Sequence, residues 1–173
     1  NFGYSLAAYS KGAVFINQLG YIVGNKERDA ILLDYYNQWK FKHPNVNDFV
    51  RVAEKHSGIA LQWYKEYWVH GTKTIDYALG NITIDTTSGN TQIMLKRVGK
   101  MPMPVDVLIT FKDGTKEMHY VPLNLMYGAK PSDGAIPSTI HAEWRWTHPE
   151  YIVTTSKKIN QIKSIEIDPS QQM

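Results

Sequence analysis

Tyr9, at the head of the stretch Tyr9-Ser10-Lys11-Gly12-Ala13, is the side chain whose setting most invites a chemical role. A phenol ordinarily titrates at about pH 10, so at neutral pH it can donate a hydrogen bond without first acquiring a proton. That suits it to stabilise a developing oxyanion, the task of a preorganised donor. Gly12 lies on the following turn and would permit close backbone approach. Spacing alone favours a plainer role, that of a tyrosine packed in the core where a helix begins.

The six histidines are His43, His56, His70, His119, His141 and His148, and none belongs to an H-E-x-x-H helix. The nearest approach to a ligand cluster is the run from His141 to His148. On a strand, His141, Glu143 and Arg145 would share one face, and Ala142, Trp144 and Trp146 the other. His141 and Glu143 could together offer two ligands. No third is specified and Arg145 would repel a cation, so a solvent-facing strand face beside a Trp-lined core face is the better reading. His43 precedes Pro44 in a loop between two helices, a place where functional residues often lie. Its imidazole either bonds backbone at a helix entry, the favoured reading, or meets a substrate. There is no G-x-S-x-G elbow, no G-x-x-x-x-G-K-[ST] loop and no G-x-G-x-x-G turn, so nucleophile and nucleotide signatures are missing. The absence of cysteine excludes disulfides, Cys-based zinc sites and thiol nucleophiles.

These residues must be held by two halves of different period. Residues 9–70 read as helices. Ala13, Ile16, Gly20 and Val23 keep helical spacing, with Gly24-Asn25 as a stop. A second helix is expected from about Glu27 to Trp39, with Ile31, Leu32, Tyr35, Tyr36 and Trp39 as its apolar face. Pro44 breaks the pattern. Asn47 is the expected N-cap of a third helix, with Asp48 at the positive end of its dipole. Phe49, Val52, Ala53 and His56 form one stripe, and Gly58 closes the helix in a left-handed conformation. A short fourth helix runs from about Leu61 to Trp68.

From Lys73 the period becomes two. Strands are expected over 74–79, 81–85, 91–97, 105–111, 142–146, 151–155 and 162–167, with a hairpin turning at Asp113-Gly114. Residues 128–138, rich in Gly, Pro and Ser, read as a long loop. Several short strands between turns suggest a β-sandwich. The expected fold class is therefore α+β, an N-terminal helical segment (1–72) followed by an antiparallel β-sandwich (73–173).

The aromatic stripe Trp39, Trp63, Tyr64, Tyr67 and Trp68 reads as the packing surface of the helical half. A sugar- or peptide-binding platform, or an interface with a further domain, are the alternatives. A carbohydrate-binding sandwich rests on aromatics and strand count alone. With a net charge of +3 and scattered Lys and Arg, nothing indicates a nucleic-acid binder. No apolar run reaches the roughly 18 residues of a membrane span, and no signal peptide is visible. The chain begins with Asn, which suggests a processed protein or a fragment of a longer one. A compartment is not readable.

Tyr9-Ser10-Lys11-Gly12-Ala13 resembles the Tyr-x-Lys-Gly-Ala stretch of the aminopeptidase N-type zinc metallopeptidases, the gluzincins that include leukotriene A hydrolase. The resemblance continues in order. Residues 14–58 look like the two helices after that motif and the helix carrying Asp48-Phe49. The stretch Leu61–Trp68 is similar to the Trp-bearing helix that closes the catalytic domain. The β-rich half, with Met101-Pro102-Met103-Pro104 before a strand, looks like the sandwich domain that comes next in the family.

What the resemblance implies is a zinc-dependent exopeptidase that removes N-terminal amino acids from peptides. The helical half would be the tail of its thermolysin-like catalytic domain, and the β-rich half an Ig-like sandwich. The family's zinc is held by the two His of H-E-x-x-H and a later Glu, the motif's own Glu is the general base, and G-x-M-E-N binds the free amino group. Its tyrosine donates to the oxyanion, and that role falls on Tyr9. The other elements normally precede this tyrosine and are not in the chain. The chain alone is thus expected to lack zinc and be inactive, to pack in the intact protein against the missing N-terminal part of the catalytic domain, and without it either to self-associate or to rearrange residues 1–8. The alternative is a non-catalytic scaffold or binding module homologous to the peptidase.

Overall fold

A computed structural model describes residues 2–132 and 136–173. Part of the loop expected over 128–138 lies outside the described residues. The chain divides into two compact units. The first holds the residues up to Thr72 together with Leu125–Pro131 and Gln172; the second holds Lys73–Asn124, Ser132–Gln171 and Met173.

The first unit is helical. A helix begins at Phe2, earlier than the spacing suggests, as α1 (Phe2–Ser5). It winds as a π-helix over Leu6–Lys11 and continues as α2 (Gly12–Val23). Only Gly24 separates α2 from α3 (Asn25–Trp39). Gly24 sits at φ 98°, a backbone region that a side chain would strain. Its N–H donates to the Gly20 carbonyl and its own carbonyl accepts from Arg28 N–H, so one residue both ends a helix and starts the next.

The apolar face expected on α3 is only partly covered. Ile31 is buried, whereas Tyr36 is exposed. Trp39 is half-buried, and Tyr35 packs edge-on against Phe49 with ring centroids 5.1 Å apart. The next helix, α4 (Val46–Ser57), is capped by Asn45 rather than the expected Asn47. The Asn45 side chain accepts from the Asn47 N–H at 2.8 Å, while Asp48 accepts from the Asn45 N–H at 2.9 Å. The reciprocal pair serves both ends of one turn, which a cap placed two residues later would not. Phe49, Val52 and Ala53 are buried as the stripe requires, and Gly58 closes the helix at φ 69°. His56, the last of the stripe, instead meets the Glu27 carboxylate of α3. Finally, α5 (Gln62–Val69) starts where Glu54 accepts from the Leu61 N–H.

The second unit holds two sheets. In the first, β1 (Tyr77–Ile84), β2 (Thr91–Arg97) and β6 (Glu150–Thr155) lie in that order, each pair antiparallel. The two strands expected over 74–79 and 81–85 are one strand with a bulge, where the register shifts between Leu79 and Ile82. Gly80 lies there, a residue type that bulges favour.

The second sheet has the order β5 (Ser138–Ile140), β4 (Lys116–Val121), β3 (Val105–Phe111), β7 (Ile162–Ile167). It is mixed rather than wholly antiparallel, because β4 and β5 pair in parallel. Both sheets feed one core: Ile93, Leu95 and Val153 from the first, and Val105, Val107, Ile109, Phe111 and Val121 from the second, with Trp144 between them in sequence. The strand expected over 142–146 does not form. Trp144 makes an isolated parallel bridge to Leu123, and its indole N–H donates to the His148 carbonyl. Burying one large indole decides this segment's path more than its alternation does. The hairpin turn forms as expected, with Asp113 accepting from both the backbone and the hydroxyl of Thr115.

Candidate functional site

Tyr9 lies in the π-wound turn, and it is not a core residue: its exposure is 67%. Its ring meets Tyr4 edge-on, with centroids 6.0 Å apart. α1 and the π-segment bury no residue at all. Phe2, Tyr4, Leu6 and Val14 are exposed alongside Tyr9. Around Gly12 there is open space where a side chain would stand.

Beyond that bare turn the helix is firmly held. Gln18, Leu19, Gly20, Tyr21, Ile22 and Val23 are all buried. α5 grips the middle of α2 through its aromatic side chains. The Tyr64 hydroxyl donates to the Phe15 carbonyl at 2.7 Å, and the two rings stack at 4.8 Å. That carbonyl therefore gains a partner beyond the helix's own ladder. Burial pushes the Tyr64 phenol well above its ordinary value, so it stays a donor. The Trp68 indole N–H donates to Gln18 Oε1 at 3.1 Å, and Lys11 Nζ lies 5.6 Å from the Trp68 ring centroid. The aromatic stripe is thus packing for Trp63 and Tyr64, which are buried, and a half-exposed clamp at Trp68.

A π-turn carries one residue more per ring than an α-turn, and such turns often mark functional positions. One extra residue rotates the helix on its N-terminal side by about 100° relative to the helix on its C-terminal side. Tyr9 is thereby aimed by the clamp on α2 and by the number of residues between them.

The histidines go elsewhere. His43 is exposed, and the entry to α4 is capped by Asn45 and Asp48, so the imidazole is not the cap that the sequence favours. His141 is not on a strand with Glu143 and Arg145; both of those are exposed, and its ring meets His119. Nothing in the sequence singles out His119. Glu117 and His119 alternate on one strand face, but a partner 22 positions later leaves no local signal. Among the described residues, no group of three or more His, Cys, Asp or Glu side chains could hold a metal ion. No helix among them is long and apolar enough to cross a membrane.

Set beside protein-family models and curated proteins, the chain matches none at a significant level.

Proposed function

We propose that this chain is the C-terminal part of an aminopeptidase N-type zinc metallopeptidase, comprising the tail of its thermolysin-like catalytic domain and an Ig-like β-sandwich. The observation that carries the reading is Tyr9, an exposed phenol on a π-wound turn whose helical continuation is clamped. The ordered resemblance from Tyr9 to Trp68 supplies the family. The core shared by two sheets supports the sandwich.

In the intact enzyme, Tyr9 donates its O–H to the oxyanion that forms when the scissile carbonyl of a peptide becomes tetrahedral. The phenol keeps its proton throughout. The bond strengthens as negative charge builds on that oxygen, so it stabilises the transition state more than the bound substrate. Among the described residues, no group of side chains fits a zinc site. Zinc, general base and amine anchor belong to residues outside this chain, which alone is inactive. The exposed Phe2, Tyr4, Leu6 and Val14 pack against that same remainder of the catalytic domain.

In the full-length protein, Tyr9→Phe should lower the turnover of an N-terminally unblocked peptide by about two to three orders of magnitude. Zinc content should not change. Wild-type turnover in that variant overturns the role of Tyr9. An intact upstream domain that lacks H-E-x-x-H instead makes the chain part of a non-catalytic scaffold.

A further inference from the structure

The second unit encloses a chain of polar side chains that this reading does not use. On β4, Glu117 and His119 alternate with Val121 and so share its inward face. Their partners on β3 are Ile109 and Val107, both apolar and buried. Thr155 reaches across from β6, its hydroxyl donating to Glu117 Oε2 at 2.9 Å. His119 Nε2 lies 3.3 Å from the same oxygen, and His119 Nδ1 lies 2.8 Å from His141 Nε2. His119 is 2% exposed, so its own ring is shielded from water, while its partners Glu117 and His141 are half-buried.

The geometry selects one proton arrangement. A carboxylate only accepts, so Glu117 takes both the Thr155 hydroxyl and the His119 Nε2–H. A neutral His119 then presents Nδ1 as an acceptor, and His141 Nε2–H donates to it. One added proton is tolerated: His119 becomes a double donor, and His141 switches to its Nδ1–H tautomer and accepts. A second added proton leaves two N–H groups and two positive charges facing each other across the same gap, and the bond is lost.

His141 stands at the end of β5, which has only three residues, all exposed, in parallel register with β4. The strap is tied by Met118 N–H to the Pro137 carbonyl and by His141 N–H to the Tyr120 carbonyl, each at 2.9 Å. Beyond it, Trp144 is buried in the core. We propose that His119 and His141 are an acid-sensitive latch fastening the strap of β5 and residues 141–143 to β4, opened when the pair takes up its second proton.

Among the described residues, few other charges bear on the pair. Tyr151 of β6 faces His141 edge-on and donates its hydroxyl to the Ala142 carbonyl at 2.7 Å. Lys157 points elsewhere, over the Phe111 ring, and the strap's own Glu143 and β5 residues are exposed. Burial pushes both imidazoles below their ordinary range; Glu117 partly restores His119, and His119 depresses His141 further. The opened strap therefore binds protons more readily than the closed one. The latch holds fully above about pH 6.5 and weakens as pH falls from there through the depressed values.

Amide hydrogen exchange on the whole chain tests this, with rates corrected for the intrinsic effect of pH. Between about pH 7.5 and pH 5, peptides covering residues 136–143 should lose about tenfold or more of their protection, while β2 and β3 keep theirs. His141→Gln, which retains a donor but cannot titrate, should abolish that difference. Histidine nitrogen shifts should place a proton on Nε2 of both rings at the higher pH. The proposal is overturned by unchanged strap protection, by equal loss in His141→Gln, by loss spread evenly over the unit, or by the opposite tautomers.

Discussion

Three tyrosines show how surroundings assign work to one side chain. Tyr64 is buried and its hydroxyl completes the partnership of a helix carbonyl. Replacing it by Phe should cost about 1 kcal/mol in urea unfolding, the usual worth of such a bond. Tyr77 both donates to the Met103 carbonyl and accepts from the Met103 N–H. Burial, opposed weakly by Met103 and Arg97, pushes its phenol up to about 12. The folded chain thus holds this proton more tightly than the unfolded one. The stability it contributes is complete below about pH 10 and is lost as pH rises through the folded value. Urea midpoints taken across that alkaline range should fall, and Tyr77→Phe should flatten the fall while lowering the neutral value. Tyr9 has neither burial nor a structural bond to lose. Tyr9→Phe should therefore leave the chain's unfolding free energy within about 0.5 kcal/mol of wild type. A larger loss would make it a structural residue and weaken its proposed role.

Among the elements, α4 is the most legible in sequence. Phe49, Val52 and Ala53 stand three and four apart, and Gly58 ends the helix where only a left-handed residue fits. Its start reads two residues late because Asn45 and Asn47 are equally able to cap, and only the reach of Asp48 back to Asn45 decides. Asn45→Ala should cost about 0.5–2 kcal/mol, whereas Asn47→Ala should cost less. The π-turn is invisible in sequence, since Leu6–Lys11 has a composition any α-helix accepts and nothing local requires a wider ring. β5 is invisible for another reason. Three exposed residues bury no alternating face, and their pairing depends on β4, some twenty positions earlier. The candidate residues divide in the same way: a sequence motif draws attention to Tyr9, whereas nothing local marks His119, because its meaning depends on His141.

At the scale of the molecule, the helical unit exposes a group of large apolar side chains at its start. Phe2, Tyr4, Leu6 and Val14 stand exposed on one continuous stretch. Exposed apolar side chains grouped in this way, if they form one patch, mark a place for a partner. Sedimentation of the chain alone should show association that grows with concentration, and paired Phe2→Glu and Leu6→Glu substitutions should abolish it without lowering the thermal midpoint. A monomer at high concentration would remove the reason to expect a covering domain. Gly24 gives a check on the same unit. With φ at 98° and α2 and α3 both resting on it, Gly24→Ala should cost more than about 1 kcal/mol.

The π-turn also bears on heredity. Gain or loss of one codon inside an ordinary helix throws one side of the chain out of phase with the other. Here the surplus residue is already stored in the ring between Leu6 and Lys11. Deleting Ala7 can relax that ring to an α-turn while Tyr9 keeps its spacing from the clamped part of α2. Deleting Ser10 relaxes it equally but turns the phenol by about 100°. Two deletions of equal length, three positions apart, should therefore leave the fold alike and separate in their effect on any activity that depends on where the Tyr9 hydroxyl points.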